Sequence, residues 1–279
     1  MPALPNVIII GAAKCGTTSL HMYLDAHPEI AMARVKETEF FISDGTQAHG
    51  LDWYAAHFDA SLPVRGESST NYTNLPRSEG VATRMREVVP DARLIYLVRD
   101  PFHRMESHYV HQRASGAEHK TFDQALREPT NPYLSISKYA TQLAPFLAQY
   151  PDRQILVESQ ERLLSRRGEV LTRIFRFLDV DPFFHATDFG REWNQSEGKG
   201  RVYTGAVRLS RRTQARGIRL PSRLRWPVER LLRNARVGGR THERPKISQD
   251  LQRALYHELK HEADTLRAIT GLELSEWSV

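Results

Sequence analysis

Residues 7–19, VIIIGAAKCGTTS, decide the fold of this 279-residue chain. The run Val7–Ile10 is apolar and β-branched, which is typical of a parallel strand that is covered on both faces. Small residues, one lysine and three hydroxyls follow up to Ser19, where a helix is expected to begin. The free N–H groups and the dipole of a helix N-terminus favour a bound anion. The sequence therefore predicts a strand, a phosphate-binding loop and a helix in direct succession.

This predicted loop is close to the Walker A pattern, G-x-x-x-x-G-K-[ST], but departs from it at the lysine. Gly11 and Gly16 keep the spacing, whereas Thr17 stands where the lysine belongs and Lys14 lies inside the loop. A loop without the lysine that reaches the β- and γ-phosphates is expected to bind phosphate without ordinary ATPase chemistry. A P-loop nucleotide kinase or NTPase is kept as an alternative.

A second pair of anion-binding side chains follows the predicted strand 92–98. Arg99 stands at the end of that strand, and Ser107 lies eight residues later on a helix that Pro101 can open. A guanidinium and a hydroxyl that are delivered together suit a dianionic phosphate monoester. The two motifs together therefore indicate a ligand that carries phosphate at two places.

These motifs resemble the PAPS-dependent sulfotransferases, whose donor is 3′-phosphoadenosine 5′-phosphosulfate (PAPS), and above all their heparan-sulfate and carbohydrate branch. Similarity to the 5′-phosphosulfate loop implies donor contacts from Lys14, Cys15, Gly16, Thr17, Thr18 and Ser19. Similarity of RDPFHRMESHY to the signature RDPxxRxxSxY implies that Arg99 and Ser107 hold the 3′-phosphate. A downstream glycine loop is similar to the branch's KGR loop, which implies further donor contacts from Lys199, Gly200 and Arg201.

The resemblance implies in-line transfer of a sulfuryl group to a hydroxyl or an amine. Such a reaction needs a base for the acceptor and cations for the moving group and the leaving phosphate. Lys14 and Lys199 are expected to supply those cations. Glu67 is expected to be the base, because Gly66-Glu67 matches a GEK segment of the branch, although Ser68 replaces its lysine.

Other residues could serve the acceptor end of the cleft. Lys36 and Glu37, in KETEFF, resemble a KE-x-x-FF run of the family and are expected to reach the acceptor. Three histidines on the helix after strand 92–98 rank below Glu67 as bases, and the middle one is expected to face solvent: His103, His108 and His111.

The order of the predicted elements indicates an α/β fold. Strands are predicted at 7–10, 64–68, 92–98 and 154–158, and helices at 17–26, 77–88, 101–114, 138–149, 160–177 and 248–269. This alternation predicts a three-layer α/β/α sandwich around a parallel sheet, with ligands at the carboxyl ends of the strands. The resemblance implies the P-loop NTPase-like sulfotransferase fold, in a single domain that spans 1–279.

The net charge of +6 comes largely from an arginine-rich insertion at about 207–244. This insertion is expected to contact an anionic membrane, to gather an anionic or lipid-linked acceptor, or to be solvated. A noncatalytic protein that binds nucleic acid or membranes through it is a further alternative. That alternative leaves both phosphate motifs unexplained, so no nucleic acid is expected as a partner. A noncatalytic PAPS-binding relative is also kept.

The single cysteine, Cys15, excludes an intramolecular disulfide and a cysteine zinc cluster, and it is expected to pack as a small residue. No HExxH or clustered carboxylates point to a metal. A short apolar run without a basic region before it, and no apolar stretch of about 20 residues, predict a cytoplasmic enzyme, here of bacterial type. The resemblance implies a glycan, a glycolipid or a lipidated metabolite as acceptor and leaves its identity open.

Overall fold

One parallel sheet organises the computed structural model, which describes residues 3–42, 49–190 and 245–279. The sheet has the order β2-β3-β1-β4-β5, and all neighbouring strands are parallel. Its strands are β1 Val7–Gly11, β2 Ile30–Met32, β3 Val64–Ser68, β4 Arg93–Val98 and β5 Ile155–Ser159. Strands β1 and β4 are buried along almost their whole length, so both faces of the sheet are covered. The predicted α/β fold with a central parallel sheet is confirmed.

The predicted helices are present with two differences in their bounds, and three short helices, at 50–55, 122–126 and 132–135, were not predicted. Their bounds are α1 Thr17–Asp25, α2 Gly50–Ala55, α3 Val81–Val88, α4 Pro101–Ser115, α5 Phe122–Leu126, α6 Pro132–Ser135, α7 Tyr139–Leu147, α8 Gln160–Ser165, α9 Arg167–Leu178 and α10 Gln249–Thr270. The predicted single helix 160–177 is wrong, because the backbone leaves the helical region at Arg166 and separates α8 from α9. Helix α3 begins at Val81 rather than at 77, after Gly80 with φ 73°.

The order of the strands locates the crevice. The chain passes from β1 to β2 and β3 on one side of the sheet, and then crosses to β4 and β5 on the other. In open α/β sheets ligands bind at such a switch point, beyond the carboxyl ends of the strands. The segments that follow β1, β3 and β4 therefore meet at the edge where both phosphate motifs were expected.

Candidate active site

The phosphate loop, residues 12–16, joins the end of β1 to the start of α1. The amide of Ala12 donates to the carbonyl of Leu97 in β4 at 2.7 Å, which ties the start of the loop to the sheet. Gly16 has φ 90° immediately before α1, a conformation that glycine adopts without strain. Lys14, Gly16 and Thr18 are half-buried, whereas Thr17 and Ser19 are buried. The loop thus leads directly into a helix N-terminus, as predicted.

Cys15 turns its side chain into the protein. The thiol is fully buried and lies 3.7 Å from the hydroxyl of Tyr139, and burial raises its pKa to about 11. Its amide donates to the carbonyl of Ala12 at 3.2 Å. Cys15, whose resemblance-based role is a donor contact, is therefore a packing residue in this structure.

The second motif lies beside the phosphate loop. Arg99 follows β4, and its guanidinium donates to the carbonyl of Lys14 at 3.5 Å. Asp100 caps α4 by accepting from the amide of His103 at 2.9 Å, and Pro101 is the first residue of that helix. Ser107 is half-buried on the same helix. The structure thus brings Arg99 to Lys14 across 85 residues of sequence.

Arg104 belongs to this arrangement; it matches the second arginine of the signature RDPxxRxxSxY, but no role was predicted for it from the sequence. Its guanidinium is fully buried and donates to the carbonyl of Ala13 in the phosphate loop at 3.3 Å. The other groups that it contacts are the Ser137 hydroxyl at 2.6 Å, the Tyr133 carbonyl and the His108 ring. None of these groups is a carboxylate, so α4 delivers a buried positive charge next to the loop.

Glu67, the expected base, has an enclosed carboxylate in this structure. The residue is fully buried at the end of β3. Its two oxygens accept hydrogen bonds from four hydroxyls, those of Thr38, Tyr54, Ser69 and Tyr72. Burial raises the pKa of Glu67, and these hydrogen bonds oppose that rise. In this structure the carboxylate is therefore enclosed and unavailable to an acceptor.

The acceptor segment, residues 36–41, lies beyond the carboxyl end of β3. The amide of Glu37 donates to the carbonyl of Ser68 at 2.9 Å, and the Glu37 carboxylate accepts from the amide of Thr70 at 2.7 Å. Glu37 keeps one third of its side chain exposed and forms an ion pair with Lys36. Because Ser68 is paired with Ile9 of β1, Glu37 lies near the strand that opens the phosphate loop. Phe40 and Phe41 are buried in the core, as expected.

Among the histidines of α4, His108 is a poor candidate for a base. His108 is buried rather than exposed to solvent, which corrects the sequence-based expectation. Its ring nitrogens lie 3.3 Å from Arg104 and 3.3 Å from Gln112, and burial followed by the Arg104 charge holds its pKa well below the ordinary value. His103 is more than half exposed and lies 3.5 Å from Asp100.

Several predicted features lie outside the described residues. These are the donor contacts Lys199, Gly200 and Arg201 and the insertion at about 207–244. Within the described residues no helix is long and apolar enough to cross a membrane.

A loop that leads into a helix N-terminus at the switch point of a parallel sheet, with a second basic motif beside it, is typical of α/β proteins that bind phosphorylated ligands. The family model described as "Sulfotransferase domain" matches residues 4–191. The chain therefore belongs to the sulfotransferase domain family.

Known relatives and a solved structure agree with this assignment. "Bifunctional heparan sulfate N-deacetylase/N-sulfotransferase 2" of Homo sapiens is 32% identical over 206 residues, which make up 66% of this chain and 23% of that protein. "Membrane-associated sulfotransferase kil1" of Dictyostelium discoideum is 40% identical over 111 residues, 38% of this chain and 22% of that protein. The chain thus spans about a quarter of the length of these relatives. A sulfotransferase structure from Alicyclobacillus acidocaldarius shares the fold, with a TM-score of 0.69, 23% identity and 99% coverage of both chains.

Proposed function

We propose that this chain transfers a sulfuryl group from PAPS to a hydroxyl or an amine of an acceptor. The observation that carries the proposal is the contact between the two anion-binding motifs, in which Arg99 donates to the carbonyl of Lys14. One nucleotide with phosphate groups at the 3′ and 5′ positions of its ribose would reach both motifs. A mononucleotide such as ATP, which has no 3′-phosphate, would place no phosphate at Arg99 and Ser107.

The residues at the cleft suit this donor. The start of α1 offers backbone N–H groups, with the Lys14 ammonium and the Thr18 hydroxyl beside them, to a 5′-phosphosulfate. Arg99 and Ser107 offer a guanidinium and a hydroxyl to a 3′-phosphate. PAPS would supply the sulfuryl group, and Lys14 would stabilise charge on the leaving 5′-phosphate. Lys199, Gly200 and Arg201 remain predicted donor contacts, with Lys199 as a second cation.

Glu37 is the base in this proposal, in place of Glu67. Its carboxylate is partly exposed next to Lys36, whereas the Glu67 carboxylate is enclosed by four hydroxyls. A general base must come within hydrogen-bond reach of the proton that it takes. Lys36, which forms an ion pair with Glu37, can orient an acceptor hydroxyl or amine.

A glycan is the acceptor class that we propose to screen first. The human relative named above is called an N-sulfotransferase of heparan sulfate, which supports an amino sugar or a sugar hydroxyl as acceptor. Glycolipids and lipidated metabolites follow, because an arginine-rich stretch at about 207–244 would attract anionic or membrane-bound substrates. Contact of that stretch with an anionic membrane and a cytoplasmic location remain predictions.

The test is a calorimetric titration with the product nucleotide, 3′-phosphoadenosine 5′-phosphate (PAP), beside ATP with Mg²⁺. We expect PAP to bind at least about a hundredfold more tightly than Mg-ATP, because charge-assisted hydrogen bonds to a second phosphate are each worth about 1.5–3 kcal/mol. Arg99→Ala and Ser107→Ala should weaken PAP, whereas Arg113→Ala, an exposed arginine on the same helix, should not. Equal affinity for Mg-ATP, or unchanged PAP binding in Arg99→Ala, would contradict the proposal and favour a kinase.

A further inference from the structure

The surroundings of Glu67 are unusual for a buried carboxylate. Each of its four hydrogen-bond donors is a neutral hydroxyl, and no described arginine or lysine pairs with it. The distances to Oε1 are 2.5 Å from Thr38, 2.7 Å from Ser69 and 2.7 Å from Tyr72. Burying a carboxylate without a nearby cation costs free energy. The role of Glu67 therefore depends on the segments that its four hydroxyl donors hold in place.

All four hydroxyl-bearing residues belong to the acceptor segment or contact it. Thr38 is part of it, and the Ser69 hydroxyl also accepts from the amide of Glu39 at 3.1 Å. The Tyr72 hydroxyl accepts from the amide of Phe41 at 3.5 Å, and the Tyr54 ring stacks on Phe40 with centroids 4.1 Å apart. The carboxylate of Glu67 is therefore the common anchor of residues 38–41.

The backbone of this segment needs such an anchor. Glu37 and Glu39 have φ values of 61° and 52°, in the left-handed region that residues other than glycine rarely adopt. Thr38 lies between them, and its side chain points to Glu67. A strained segment persists only when its surroundings hold it, and such segments cluster at active sites.

We infer that Glu67 is a positioning residue, which fixes the Glu37 carboxylate toward the acceptor through Thr38 and Ser69 and does not touch the acceptor itself. This inference rests on the proposed function, in which Glu37 is the base. Loss of the anchor would let residues 37–39 relax, and a small displacement of a reacting group can cost about a hundredfold in rate. Donor binding, which uses the phosphate loop and α4, would be unaffected.

The test compares Glu67→Gln, Thr38→Val and Glu37→Gln in PAP formation from PAPS, with de-N-sulfated heparin as probe acceptor. Glu67→Gln and Thr38→Val should each lower kcat about 10- to 100-fold, with the acceptor KM and the PAP Kd within about threefold of wild type. Thr38→Ser, which keeps the hydroxyl, should recover most of the loss. Glu37→Gln/Glu67→Gln should be no slower than Glu37→Gln alone, because Glu67 acts only through Glu37.

A matched tyrosine pair separates this role from general stability. Tyr72→Phe should lower kcat, whereas Tyr150→Phe, which removes another buried hydroxyl bonded to the Val89 carbonyl, should not. Hydrogen exchange on the PAP-bound protein should show the amides of residues 37–41 exchanging at least about tenfold faster in Thr38→Val and Glu67→Gln. This measurement decides the question even if the wild-type chain does not sulfate the probe acceptor or if Glu67→Gln folds poorly.

Three results would overturn the inference. One is a double variant much slower than Glu37→Gln. Another is a Thr38→Val variant with wild-type turnover, and the last is unchanged exchange in residues 37–41. Wild-type protein that binds no PAP would instead contradict the proposed function, and exchange without nucleotide would then still report on the anchor.

Discussion

At the scale of single residues, Gly11 has the least space around it. A Cβ built on it would lie 1.9 Å from the Thr73 hydroxyl and 3.1 Å from the Tyr96 ring. Gly11→Ala should therefore lower the free energy of unfolding by about 1–3 kcal/mol, as overpacked cores do. Urea denaturation measures this loss, and PAP titration should show weaker binding, because β1 ends at this residue.

A compound variant tests whether the contact with Thr73 is the cause. Thr73→Ala removes the hydroxyl that an alanine at position 11 would meet, so Gly11→Ala/Thr73→Ala should be more stable than the sum of the single losses predicts. Strict additivity of the two changes would show that the strain arises elsewhere.

Glu67 shows why a residue's role is harder to predict from sequence than its place in the fold. Its position at the end of a strand was predicted correctly. Successive side chains of a strand point to opposite faces, and the hydroxyls that enclose Glu67 come from three separate segments, around Thr38, Tyr54 and residues 69–72. No local pattern in the sequence connects those segments.

At the scale of elements, Arg104 joins α4 to the phosphate loop. Arg104→Met should weaken PAP binding about tenfold, because it removes a buried cation and leaves the carbonyl of Ala13 without this donor. The carbonyl of Tyr133 and the hydroxyl of Ser137 also lose their donor, so the free energy of unfolding should fall by about 1–3 kcal/mol.

Arg113→Met provides the control for this prediction. Arg113 is exposed on the same helix, so its replacement should leave the PAP affinity and the free energy of unfolding near wild type. Unchanged PAP affinity in a destabilised Arg104→Met would show that Arg104 supports the fold alone.

Helix α1 should make stability depend on pH. His21 is buried in it, and burial, followed by the charge of Lys36, lowers its pKa from 6.5 to about 3. Between these values the unfolded chain binds a proton that the folded chain does not. The contribution of the neutral His21 ring to the free energy of unfolding is therefore fully present above about pH 6.5. It is lost as the pH falls toward the folded-state pKa, at about 1.4 kcal/mol per pH unit.

Denaturation of His21→Leu between about pH 6 and about pH 4 measures this contribution. The slope of unfolding free energy against pH should be smaller than that of wild type by about 1.4 kcal/mol per unit. His119→Leu, at an exposed histidine, should keep the wild-type slope. Equal slopes of unfolding free energy against pH for wild type and His21→Leu would mean that His21 is not buried as a neutral ring.

Several helices and strands were predicted closely, whereas β2, the short helices α2, α5 and α6, and the break between α8 and α9 were not. The helices 17–26, 101–114 and 248–269 and the strands 7–10 and 64–68 were expected within about one residue of their observed bounds. Strand β2 has three residues, too few for a visible alternation, and its place at the sheet edge follows from pairing with β3. Arg166, where the break occurs, is neither glycine nor proline, and the nearby Gly168 lies inside α9; a single glycine is tolerated within a helical pattern, so the break was not predicted.

At the scale of the whole molecule, residues 277–279 pack beside the proposed donor site. The amide and hydroxyl of Ser278 both donate to Asp100, at 2.5 and 2.6 Å, next to Arg99. The Trp277 indole donates to Glu161 at 3.3 Å, and its ring packs on Tyr139. Residues 277–279 thus hold the turn between β4 and α4 from outside.

Removing residues 277–279 should therefore loosen that turn. We expect a lower melting temperature together with PAP binding weakened at least about fivefold, because Arg99 lies beside Asp100, which loses its two donors from Ser278. Thermal denaturation and calorimetry measure the two effects. Phe183→Ala, which removes an aromatic ring that is 69% exposed, should change neither. Full PAP affinity after the truncation would show that the contact serves stability only.

The enclosed thiol of Cys15 gives the molecule a built-in reporter. It is the only sulfhydryl in the sequence, it is fully buried, and its pKa of about 11 keeps it protonated at neutral pH. An alkylating reagent can then modify the native protein only during those moments when residues 12–16 open. The rate of alkylation therefore measures how often the loop opens, without any added label. A nucleotide bound to the loop would lower that rate.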